Sequence, residues 1–542
     1  MKNIENIGNK IFHISSDVPL IIIKELIKSR VKTSEDLARL KRKMAKKYEI
    51  PCPSNIELLK AYHKLIKNRS TVRMGKIENI LKTRPIRSLS GIVNVSVLTK
   101  PYPCPGKCLY CPTEKGIPKS YVSGEPAVER AKRLKYNPYL QVKRRIEMLK
   151  AEGHPTDKIE LRIVGGTWSF YPKKYQTWFV KKCFDACNEK NSKNLKKAQK
   201  INEKAKHRVV GLSIETRPDF INEKEIKRLR ELGTTMVELG VQSIYDDVLD
   251  LNLRGHKIKE TILATKILKD AGFKVLYQMM PNLPGSNLKK DEKMFEILFK
   301  NPDFQPDLLK IYPCALLKEA PLYKLWKNKK YRPYEEKQLI NLIKKIKKRI
   351  PYYVRIQRIS RDIPSKSIIA GPAKISNLRQ ILAERMKRED WNCKCIRCRE
   401  IREKYNPKEK LYLFRQDYNA SGGKEIFLSL ETPEGSRPQF EGGAYGASKN
   451  RKLYSLLRLR ITSTGEAIIR EIHTYGSLVP IFETRIAPQH KGLGKKLISA
   501  AEKITKNEFG LKKIAVISAI GVRDYFRKLG YKLKDTYMIK FI

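Results

Sequence analysis

The chain has 542 residues, too many for one ordinary hydrophobic core, so its length predicts two or more domains. Its 114 Lys and Arg residues against 56 Asp and Glu residues give a formal net charge of +58. This excess indicates a polyanionic partner, with an anionic membrane surface as the alternative. The sequence shows neither a run of about 20 apolar residues nor a secretory signal. Six of the 10 cysteines fall in two tight clusters, which favours metal binding in a reducing, cytoplasmic compartment over disulfides, with no membrane partner.

Residues 1–75 are predicted to form a basic helical region. Leu20–Ile27, Ser34–Tyr48 and Asn55–Lys67 place apolar residues at helical spacing, with basic residues between them. A solvated helix face explains any single basic residue here, whereas the whole cluster favours nucleic-acid binding. The cluster comprises Arg30, Lys32, Arg39, Lys41, Arg42, Lys43, Lys46 and Lys47.

Residues 76–390 are predicted to form an α/β domain, because short β-branched runs alternate with amphipathic helical stretches. Strand–helix alternation implies right-handed crossovers and a parallel sheet, and six such units predict an incomplete (βα)6 barrel. The lysine- and asparagine-rich stretch Lys190–Lys206 is expected to be a solvated insertion. The predicted strands are Ile92–Thr99, Ile159–Val164, Val209–Glu215, Met236–Gly240, Lys274–Met279 and Leu308–Tyr312.

Three cysteines follow the first predicted strand with the spacing C-x-x-x-C-x-x-C: Cys104, Cys108 and Cys111. Three thiolates can hold three irons of a cubane cluster and leave the fourth iron open, whereas four-cysteine clusters leave none. This spacing, with the aromatic Tyr110 before the third cysteine, resembles that of radical S-adenosylmethionine (SAM) enzymes, whose open iron binds SAM. A zinc site that lacks one ligand and simple buried cysteines are the alternatives.

Polar and glycine-rich groups end several of the predicted strands, on the barrel face where catalytic groups gather. Gly165-Gly166-Thr167 follows the second strand, and glycine there allows the backbone to approach a ligand closely. In radical SAM enzymes the corresponding loop binds the amino group of SAM. A plain turn is the alternative. Glu215 and Gln242, near the ends of the third and fourth strands, are further candidate cofactor contacts.

A second cysteine cluster, Cys393, Cys395 and Cys398, lies in a linker predicted at residues 391–410. Thiolates are the preferred ligands of structural zinc, which takes four ligands in tetrahedral geometry. The spacing C-x-C-x-x-C therefore predicts a zinc site, with a second iron–sulfur cluster or unoccupied thiols as alternatives. The fourth ligand has to come from elsewhere, and Cys314 or a histidine is a candidate.

Residues 411–542 are predicted to form a separate α+β domain around the motif Q-x-x-G-x-G. Gln489, Gly492, Leu493, Gly494 and Lys495 precede a predicted helix, Lys496–Phe509, and backbone N–H groups in such a loop can cradle a pyrophosphate. The motif is typical of GNAT-type acetyltransferases, where the pyrophosphate belongs to coenzyme A. Strands are predicted before it, at Ile468–Thr474, and after it, at Lys513–Ser518. A plain glycine turn is the alternative.

With both halves present, the chain resembles the catalytic subunit of Elongator in its archaeal, stand-alone form, over essentially its whole length. Matching stretches are Gly211–Asp219, Glu238–Ser243, Asn252–His256, Met279–Gly285 and Ile514–Ser518.

The resemblance implies a tRNA-modifying acyltransferase with a 4Fe-4S cluster, SAM and acetyl-CoA, acting on the wobble uridine of the anticodon stem-loop. A radical made from SAM abstracts hydrogen from the acetyl methyl group, and the carbon radical adds to carbon 5 of uridine. Thioester hydrolysis then leaves a carboxymethyl group. The resemblance also implies an external electron donor and allows a homodimer.

The resemblance carries several residue roles. Lys158, the strand Glu471-Ile472-His473-Thr474 and the loop Leu493-Gly494-Lys495 are expected to contact acetyl-CoA. Lys310 is expected near the cluster as a catalytic residue, and Tyr525 is expected to protonate the departing thiolate. Phe526 is expected to contact the cofactor. It follows Tyr525 where relatives can carry a second tyrosine, so any role for that second hydroxyl is in doubt. A core aromatic is the alternative for Tyr525 and for Tyr531.

Two other functions compete with this prediction. One is a tRNA-binding scaffold whose cluster is only structural. The other is a histone-type lysine acetyltransferase that uses the GNAT half alone; it needs neither a radical cluster nor a large basic surface, and both features argue against it.

Overall fold

The computed structural model describes residues 18–29, 31–68, 74–402, 405–433, 451–479, 488–489 and 491–542. Residues 1–17, Arg30 and residues 69–73 of the predicted basic helical region lie outside the described residues. So do residues 403–404 of the predicted linker and residues 434–450, 480–487 and His490 of the predicted C-terminal domain. The described chain divides into two compact units. No helix in the described ranges is both long enough and apolar enough to cross a bilayer.

The first unit comprises the described residues up to Ser88 together with Arg144–Thr156. Its three predicted helices are confirmed, and Thr33 and Ser54 cap the second and third through paired capping boxes. Ile22, Leu58 and Tyr62 are fully buried in its core. The helices are α1 (Val18–Lys28), α2 (Ser34–Lys47), α3 (Asn55–Lys67) and α4 (Gly75–Leu81).

The second unit comprises Leu89–Lys143 and Asp157–Ile542, and it begins with a parallel sheet in the order β1-β2-β3-β4-β5-β6-β7. Sequential parallel pairing with helical crossovers makes this sheet an incomplete barrel, as predicted. The strands are β1 (Val93–Leu98), β2 (Lys158–Val164), β3 (Arg208–Thr216), β4 (Met236–Gln242), β5 (Lys274–Met279), β6 (Leu308–Ile311) and β7 (Arg355–Arg358). Helices of the same stretch of chain are α5 (Pro126–Arg133), α6 (Pro138–Ala151), α7 (Lys173–Asn188), α8 (Leu195–Asn202), α9 (Glu223–Leu232), α10 (Asp246–Leu251), α11 (Ile258–Asp270), α12 (Leu288–Lys300), α13 (Leu322–Lys327), α14 (Glu336–Arg349), α15 (Leu378–Arg388) and α16 (Ile396–Arg399).

The barrel differs from the sequence prediction in two places. It has a seventh strand, β7, which the pattern missed because Arg355-Ile356-Gln357-Arg358 is short and mostly polar. The prediction that Lys190–Lys206 is a solvated insertion is wrong, because this stretch contains α8. Asn194 caps that helix, and its Leu195 and Ala198 are buried. Lysines on the outer face of α8 dominate the local composition and conceal this apolar face.

A second sheet follows, in the order β13-β14-β12-β11-β10-β9-β8, mixed in direction. The helix after the glycine-rich motif packs on its inner face with Leu497, Ile498 and Ala501. The elements are β8 (Tyr412–Ala420), β9 (Gly423–Glu431), β10 (Leu453–Ile461), β11 (Ala467–Thr474), α17 (Leu493–Asn507), β12 (Lys513–Val516), α18 (Arg523–Arg527), β13 (Lys532–Lys534) and β14 (Tyr537–Phe541).

The outer face of this sheet packs against the amino end of the barrel, the end at which β1–β7 begin, through a buried network of charges. Asp307, just before β6, accepts two hydrogen bonds from Arg470 of β11, at 2.6 and 2.8 Å. Arg458 of β10 lies 3.6 Å from the same carboxylate and donates to the Tyr353 carbonyl before β7 at 2.7 Å. Lys269 of α11 lies 3.7 Å from Asp307, and all four side chains are almost completely buried. Burial alone would raise the pKa of Asp307, but Arg470 and Lys269 hold it well below its usual range.

We expect Asp307→Asn to lower the free energy of unfolding of the second unit by about 3–5 kcal/mol, because buried cations would lose their counter-ion. Denaturant unfolding of the full chain measures this loss. The matched control is Glu508→Gln, which breaks an exposed pair with Arg415 (2.6 Å) and should cost less than about 1 kcal/mol. Equal unfolding midpoints for the two variants would contradict a structural role for the network.

Candidate functional site

The cysteine loop follows β1 at the carboxyl end of the barrel. The Cys104 sulfur lies 3.6 Å from the Thr167 hydroxyl, and the Cys108 sulfur accepts a hydrogen bond from Arg254 at 3.6 Å. Cys111 faces the cavity at this end of the sheet. Burial, and after it the neighbouring Cys108 thiol, raises the pKa of Cys111 to about 12. The three cysteines therefore lie in one electrostatically coupled group at the catalytic face of the barrel.

The surroundings of this loop fit an iron–sulfur cluster. Within the described residues, Arg217 Nη1 is buried without a hydrogen-bond partner, and the buried Tyr110 hydroxyl lies against Cys108. Arg217 Nη1 points at the loop, only 2.6 Å from where a Cβ on Gly106 would lie. Hydrogen bonds to sulfur are among the protein's means of tuning such clusters. An unpaired guanidinium N–H and a buried hydroxyl beside three cysteines suit an anionic sulfur cluster.

A cavity lies next to Cys111 and is lined by charged and polar side chains that point inward from the strands. Lys310 forms an ion pair with Glu238, and it also donates to Glu215 at 3.3 Å. Arg162 donates to the other oxygen of Glu238 at 2.5 Å. Burial would raise the pKa of Glu238, but Arg162 and Lys310 lower it to about 2. Lys310 is thus an ionised wall residue held in place by two carboxylates.

The loop Gly165-Gly166-Thr167 lies beside the cysteine loop, as predicted. A Cβ on Gly165 would collide with the Thr99 hydroxyl oxygen, so packing against the end of β1 already demands glycine there. Gly166 has a φ of +100°, a conformation that favours glycine. Thr167 touches Cys104, and Gln242 lines the cavity from the end of β4. The geometry brings all of these candidates to one end of the barrel.

The start of the glycine-rich motif lies at the opposite end. Gln489 accepts a hydrogen bond from Lys158, the first residue of β2, at 2.8 Å. The Gln489 amide nitrogen donates to the carbonyls of Gly91, before β1, and Thr474, in β11, at 3.1 and 3.3 Å. Burial lowers the pKa of Lys158 to about 8. Lys158 therefore lies at the amino end of the barrel, opposite the cysteine loop, and its expected contact with acetyl-CoA stays a prediction.

The second sheet opens beside this contact. Within the described residues, β12 pairs with β11 only through Ala467–Ile469, so the two strands separate beyond Ile469. The amino end of α17 faces this gap: Gly492 precedes the helix with a φ of +78° and no side chain caps it. Uncapped N–H groups at a helix amino end attract anions. The gap and the helix end fit a pyrophosphate-containing ligand.

Tyr525 points at the same helix end. Its hydroxyl lies 3.0 Å from where a Cβ on Gly494 would lie, and the side chain of Ile472 is 3.5 Å from that point. Burial raises the pKa of Tyr525 to about 12, which keeps the hydroxyl protonated and able to donate. Phe526 and Tyr531 are instead core residues, 2% and 1% exposed. Their aromatic rings pack together under the sheet.

The remaining candidates in β11 are held by protein partners. Glu471 accepts from Arg458 at 2.8 Å and pairs with Lys274, at the start of β5, at 3.3 Å. Burial would raise the pKa of Glu471, but Lys274 and Arg458 lower it to about 2. His473 bonds the Ser90 carbonyl, before β1, at 2.6 Å. The second half of β11 therefore crosses the amino end of the barrel from β5 to β1.

The second cysteine cluster is brought together as predicted. The sulfurs of Cys393, Cys395 and Cys398 lie within 4.8 Å of one another. Among the described residues no further Cys, His, Asp or Glu joins them, and Cys314 lies elsewhere, in an apolar cluster with Tyr331. Lys347 of α14 donates to the Cys398 sulfur at 3.5 Å. The candidate fourth ligand Cys314 is therefore excluded by position.

Sequence reasoning missed Arg162 and Gln278, which line the cavity, and Glu238, which pairs with the wall residues Arg162 and Lys310. A signal was present, since each interrupts an apolar strand at the alternation that points to the lumen. Charged residues inside otherwise buried strands are rare unless they are paired. Their partners are distant in sequence, however, and only the fold brings them together.

Comparison with known proteins defines the class first. Residues 102–298 match the radical SAM superfamily, and residues 306–388 match the radical SAM C-terminal domain. The structure aligns with the archaeal Methanocaldococcus infernus Elp3 carrying an N-terminal deletion (1–46), with a TM-score of 0.72 and 43% identity. That alignment covers 84% of this chain and 100% of the other. The barrel is thus that of a radical SAM protein.

The particular family follows from the full-length relatives. The chain is 43% identical to the tRNA uridine(34) acetyltransferase of Methanocaldococcus infernus, over 96% of this chain and 97% of the relative. It is 37% identical to Elongator complex protein 3 of Homo sapiens, over 96% of each. The chain belongs to the family that contains the tRNA uridine(34) acetyltransferases and Elongator complex protein 3.

The ion pairs that Glu238 forms with Arg162 and Lys310 predict that the free energy of unfolding falls in acid. Glu238 has a pKa of about 2 against an ordinary value of 4.5. A lowered carboxyl pKa contributes stability that is present above the ordinary value and is lost as pH falls toward the folded-state value. Proton linkage at Glu238 should therefore lower the free energy of unfolding by about 2 kcal/mol between pH 6 and pH 3.

Urea unfolding at several pH values tests this step. Glu238→Gln should be less stable than the parent chain at pH 6, with a smaller further loss on acidification. Parallel stability–pH curves for the two chains would contradict the assignment.

Proposed function

We propose that this protein modifies the wobble uridine of tRNA with an acyl group from acetyl-CoA, as a radical SAM enzyme that places a carboxymethyl group on carbon 5. The observation that carries the proposal is one chain with two sites of the required kinds. A three-cysteine loop faces a charged cavity, and an uncapped helix end faces Tyr525. Full-length similarity to tRNA uridine(34) acetyltransferases supports the same assignment.

Cys104, Cys108 and Cys111 would hold the 4Fe-4S cluster, and Gly165, Gly166, Thr167, Glu215 and Gln242 would surround SAM. Bound there, the cluster and SAM supply a carbon-centred radical. Tyr121 donates to Glu215 at 2.9 Å and Gln278 donates to it at 3.2 Å, so these side chains fix its carboxylate. Lys310 presents a positive charge to the cavity where uridine and the acyl group have to meet.

The acetyl-CoA site would be built from the open edge of β11, Glu471–Thr474, and from the residues Gln489 and Gly492–Lys495. Because Glu471 and His473 are engaged by protein partners, the strand would offer its backbone groups. At the amino end of α17, Tyr525 would donate a hydrogen bond to the bound coenzyme A, with its raised pKa keeping that proton in place. Phe526 would support Tyr525 from the core.

We assign residues 1–75 to tRNA binding, 76–390 to the radical SAM barrel, 391–410 to a metal-binding linker and 411–542 to the GNAT domain. On α2, Arg39, Arg42, Lys43, Lys46 and Lys47 are exposed, which suits phosphate contacts. An external electron donor would reduce the cluster. A homodimer remains part of the proposal, without a surface assigned to it.

Cys393, Cys395 and Cys398 would hold a structural zinc ion. Three sulfurs within reach of a single ion support this. Lys347, 3.5 Å from the Cys398 sulfur, would balance the negative charge of the thiolates. The site would join the end of the barrel region, through α14, to the linker that leads into the second sheet.

The function is tested by incubating tRNA with the reconstituted, reduced chain, SAM and acetyl-CoA, followed by mass spectrometry of the nucleosides. Carboxymethylated uridine at the wobble position is expected, and its formation should require both cofactors. Cys108→Ala should abolish it. Acetyl-lysine in added protein with unmodified tRNA would instead support the lysine acetyltransferase alternative.

Gly494→Glu should abolish coenzyme A binding and uridine modification, because it places a carboxylate at the helix end where the pyrophosphate would lie. Cleavage of SAM should persist, since the cluster lies at the other end of the barrel. Ser499→Glu is the matched control, because it adds the same side chain at an exposed position of α17. Uridine modification by Gly494→Glu at the parent rate would contradict this acyl-donor site.

Neutralising four basic residues of α2 should weaken tRNA binding across tRNA sequences. The salt dependence should also become shallower, by about 0.7–0.9 in log–log slope for each phosphate that the variant no longer neutralises. A filter-binding titration at several salt concentrations measures both. The test variant changes Arg39, Lys41, Arg42 and Lys43 to Gln, and the charge-matched control changes Lys512, Lys513, Lys532 and Lys534 to Gln. Equal tRNA affinities for the two variants would show that the basic residues of α2 only face solvent and do not bind tRNA.

Cys395→Ser should remove about one equivalent of zinc per chain while iron content stays constant, because the two cysteine clusters are separate. Elemental analysis of the anaerobically prepared chain measures both metals. Cys52→Ser, at an exposed cysteine outside both clusters, is the control. A parent chain without zinc, or an unchanged zinc content in Cys395→Ser, would contradict the zinc site.

A further inference from the structure

We infer that the acyl-pantetheine arm of acetyl-CoA runs through the lumen of the half-barrel along the inner face of β1, β2 and β3, from the amino end to the cavity. This inference rests on the proposed function. It starts from the placement of the two sites at opposite ends of the same strands. Gln489 contacts Lys158 at the start of β2, whereas Cys111 and the cavity lie at the carboxyl end.

The two sites are separated by about the length of one barrel strand. β2 runs from Lys158 to Val164, and six residue steps of a strand span roughly 20 Å. A methyl group held at α17 would lie far outside the 3–3.5 Å range needed for reaction. The two sites belong to one compact unit tied by the buried charges around Asp307. An extended arm has to cross the gap.

The strand register shows which side of the lumen is available. Ser96, Arg162 and Val164 line the cavity, so alternation places Asn94, Lys158 and Glu160 on the same inward face. Asn94 pairs in register with Glu160, and Glu160 pairs with Gly211 of β3. Asn94 is exposed and Glu160 is partly exposed. Gly211 contributes no side chain, and the flexible Glu160 side chain lies over it, 3.4 Å from where a Cβ on Gly211 would lie. Polar side chains that reach solvent therefore line this layer of the lumen.

The other side of the lumen is closed. Met236 of β4, Leu276 of β5 and Leu308 of β6 pack together and are nearly fully buried. An apolar cluster of this kind fills a barrel interior as the core of a closed barrel does. The amino half of the lumen is thus divided into an apolar plug under β4–β6 and a polar, open side under β1–β3.

The chemistry of the open side suits a pantetheine arm. That arm is a linear chain with two amides and a hydroxyl, and each needs a hydrogen-bond partner once it leaves water. Asn94, Ser96 and Glu160 supply donors and acceptors along β1 and β2. The inward-facing polar side chains of β2 begin at Lys158, beside Gln489 of the glycine-rich motif. They end at Arg162, beside Lys310 and Glu238. These residues act as positioning residues for the acyl end.

The test fills the lumen and compares two probes on the full-length chain. Asn94→Trp places a large side chain in the open layer, and Gly211→Val narrows it from the opposite strand. Asn419→Trp is the matched control, since Asn419 is also an exposed asparagine on an edge strand, β8. The probes are acetyl-CoA and its nucleotide portion, 3′-phosphoadenosine 5′-diphosphate, titrated by calorimetry.

We expect both lumen variants to bind the nucleotide within about twofold of the parent affinity and to bind acetyl-CoA at least tenfold more weakly, which is about 1.4 kcal/mol. Uridine modification should fall at the same time, while SAM cleavage continues. Parent-like acetyl-CoA affinity in both variants would overturn the route, and so would an equal loss of affinity for both probes. Failure of the parent chain itself to bind acetyl-CoA would refute the proposed function instead.

Discussion

The structure of the second unit depends on the buried charges between its two sheets. Three arginines of the second sheet, Arg458, Arg460 and Arg470, are less than about 3% exposed and meet Asp307, Glu425 and the carbonyl groups at the amino ends of the barrel strands. The amino end of a parallel sheet and its loops is a polar surface that an apolar face cannot satisfy. Guanidinium groups, with five donors each, satisfy it while keeping water out.

The buried ion pairs between the two sheets have a functional consequence. Pairs of buried charges tolerate little displacement, because separating them exposes uncompensated ions to a low-dielectric interior. The second sheet is therefore fixed against the end of the barrel that is remote from the cysteine loop. Domain closure does not bring the two sites together in such an arrangement. The barrel interior then connects the two sites. The polar side chains under β1–β3 are the part of that interior through which the acyl arm would pass.

Much of this could be predicted from the sequence. The spacing of Cys104, Cys108 and Cys111, the strand–helix alternation and the glycine-rich motif are local patterns, and local patterns determine local structure. What could not be predicted depends on pairing between distant residues. Lys158 precedes the second predicted strand, but only the fold shows that it contacts Gln489, 331 residues further along the chain. Arg162 and Glu238 are 76 residues apart, and no local pattern links them. The helix α8 was missed because two of its four buried residues, Gln199 and Asn202, are polar and exposed lysines lie between the buried positions.

In the proposed reaction the acyl methyl group travels from the second sheet to the cavity beside the cysteine loop. Methyl-deuterated acetyl-CoA tests it most directly. In a single turnover with tRNA and SAM, the 5′-deoxyadenosine that is released should carry deuterium, measured by mass spectrometry. Release of 5′-deoxyadenosine without deuterium, in an incubation that still forms modified uridine, would contradict the account.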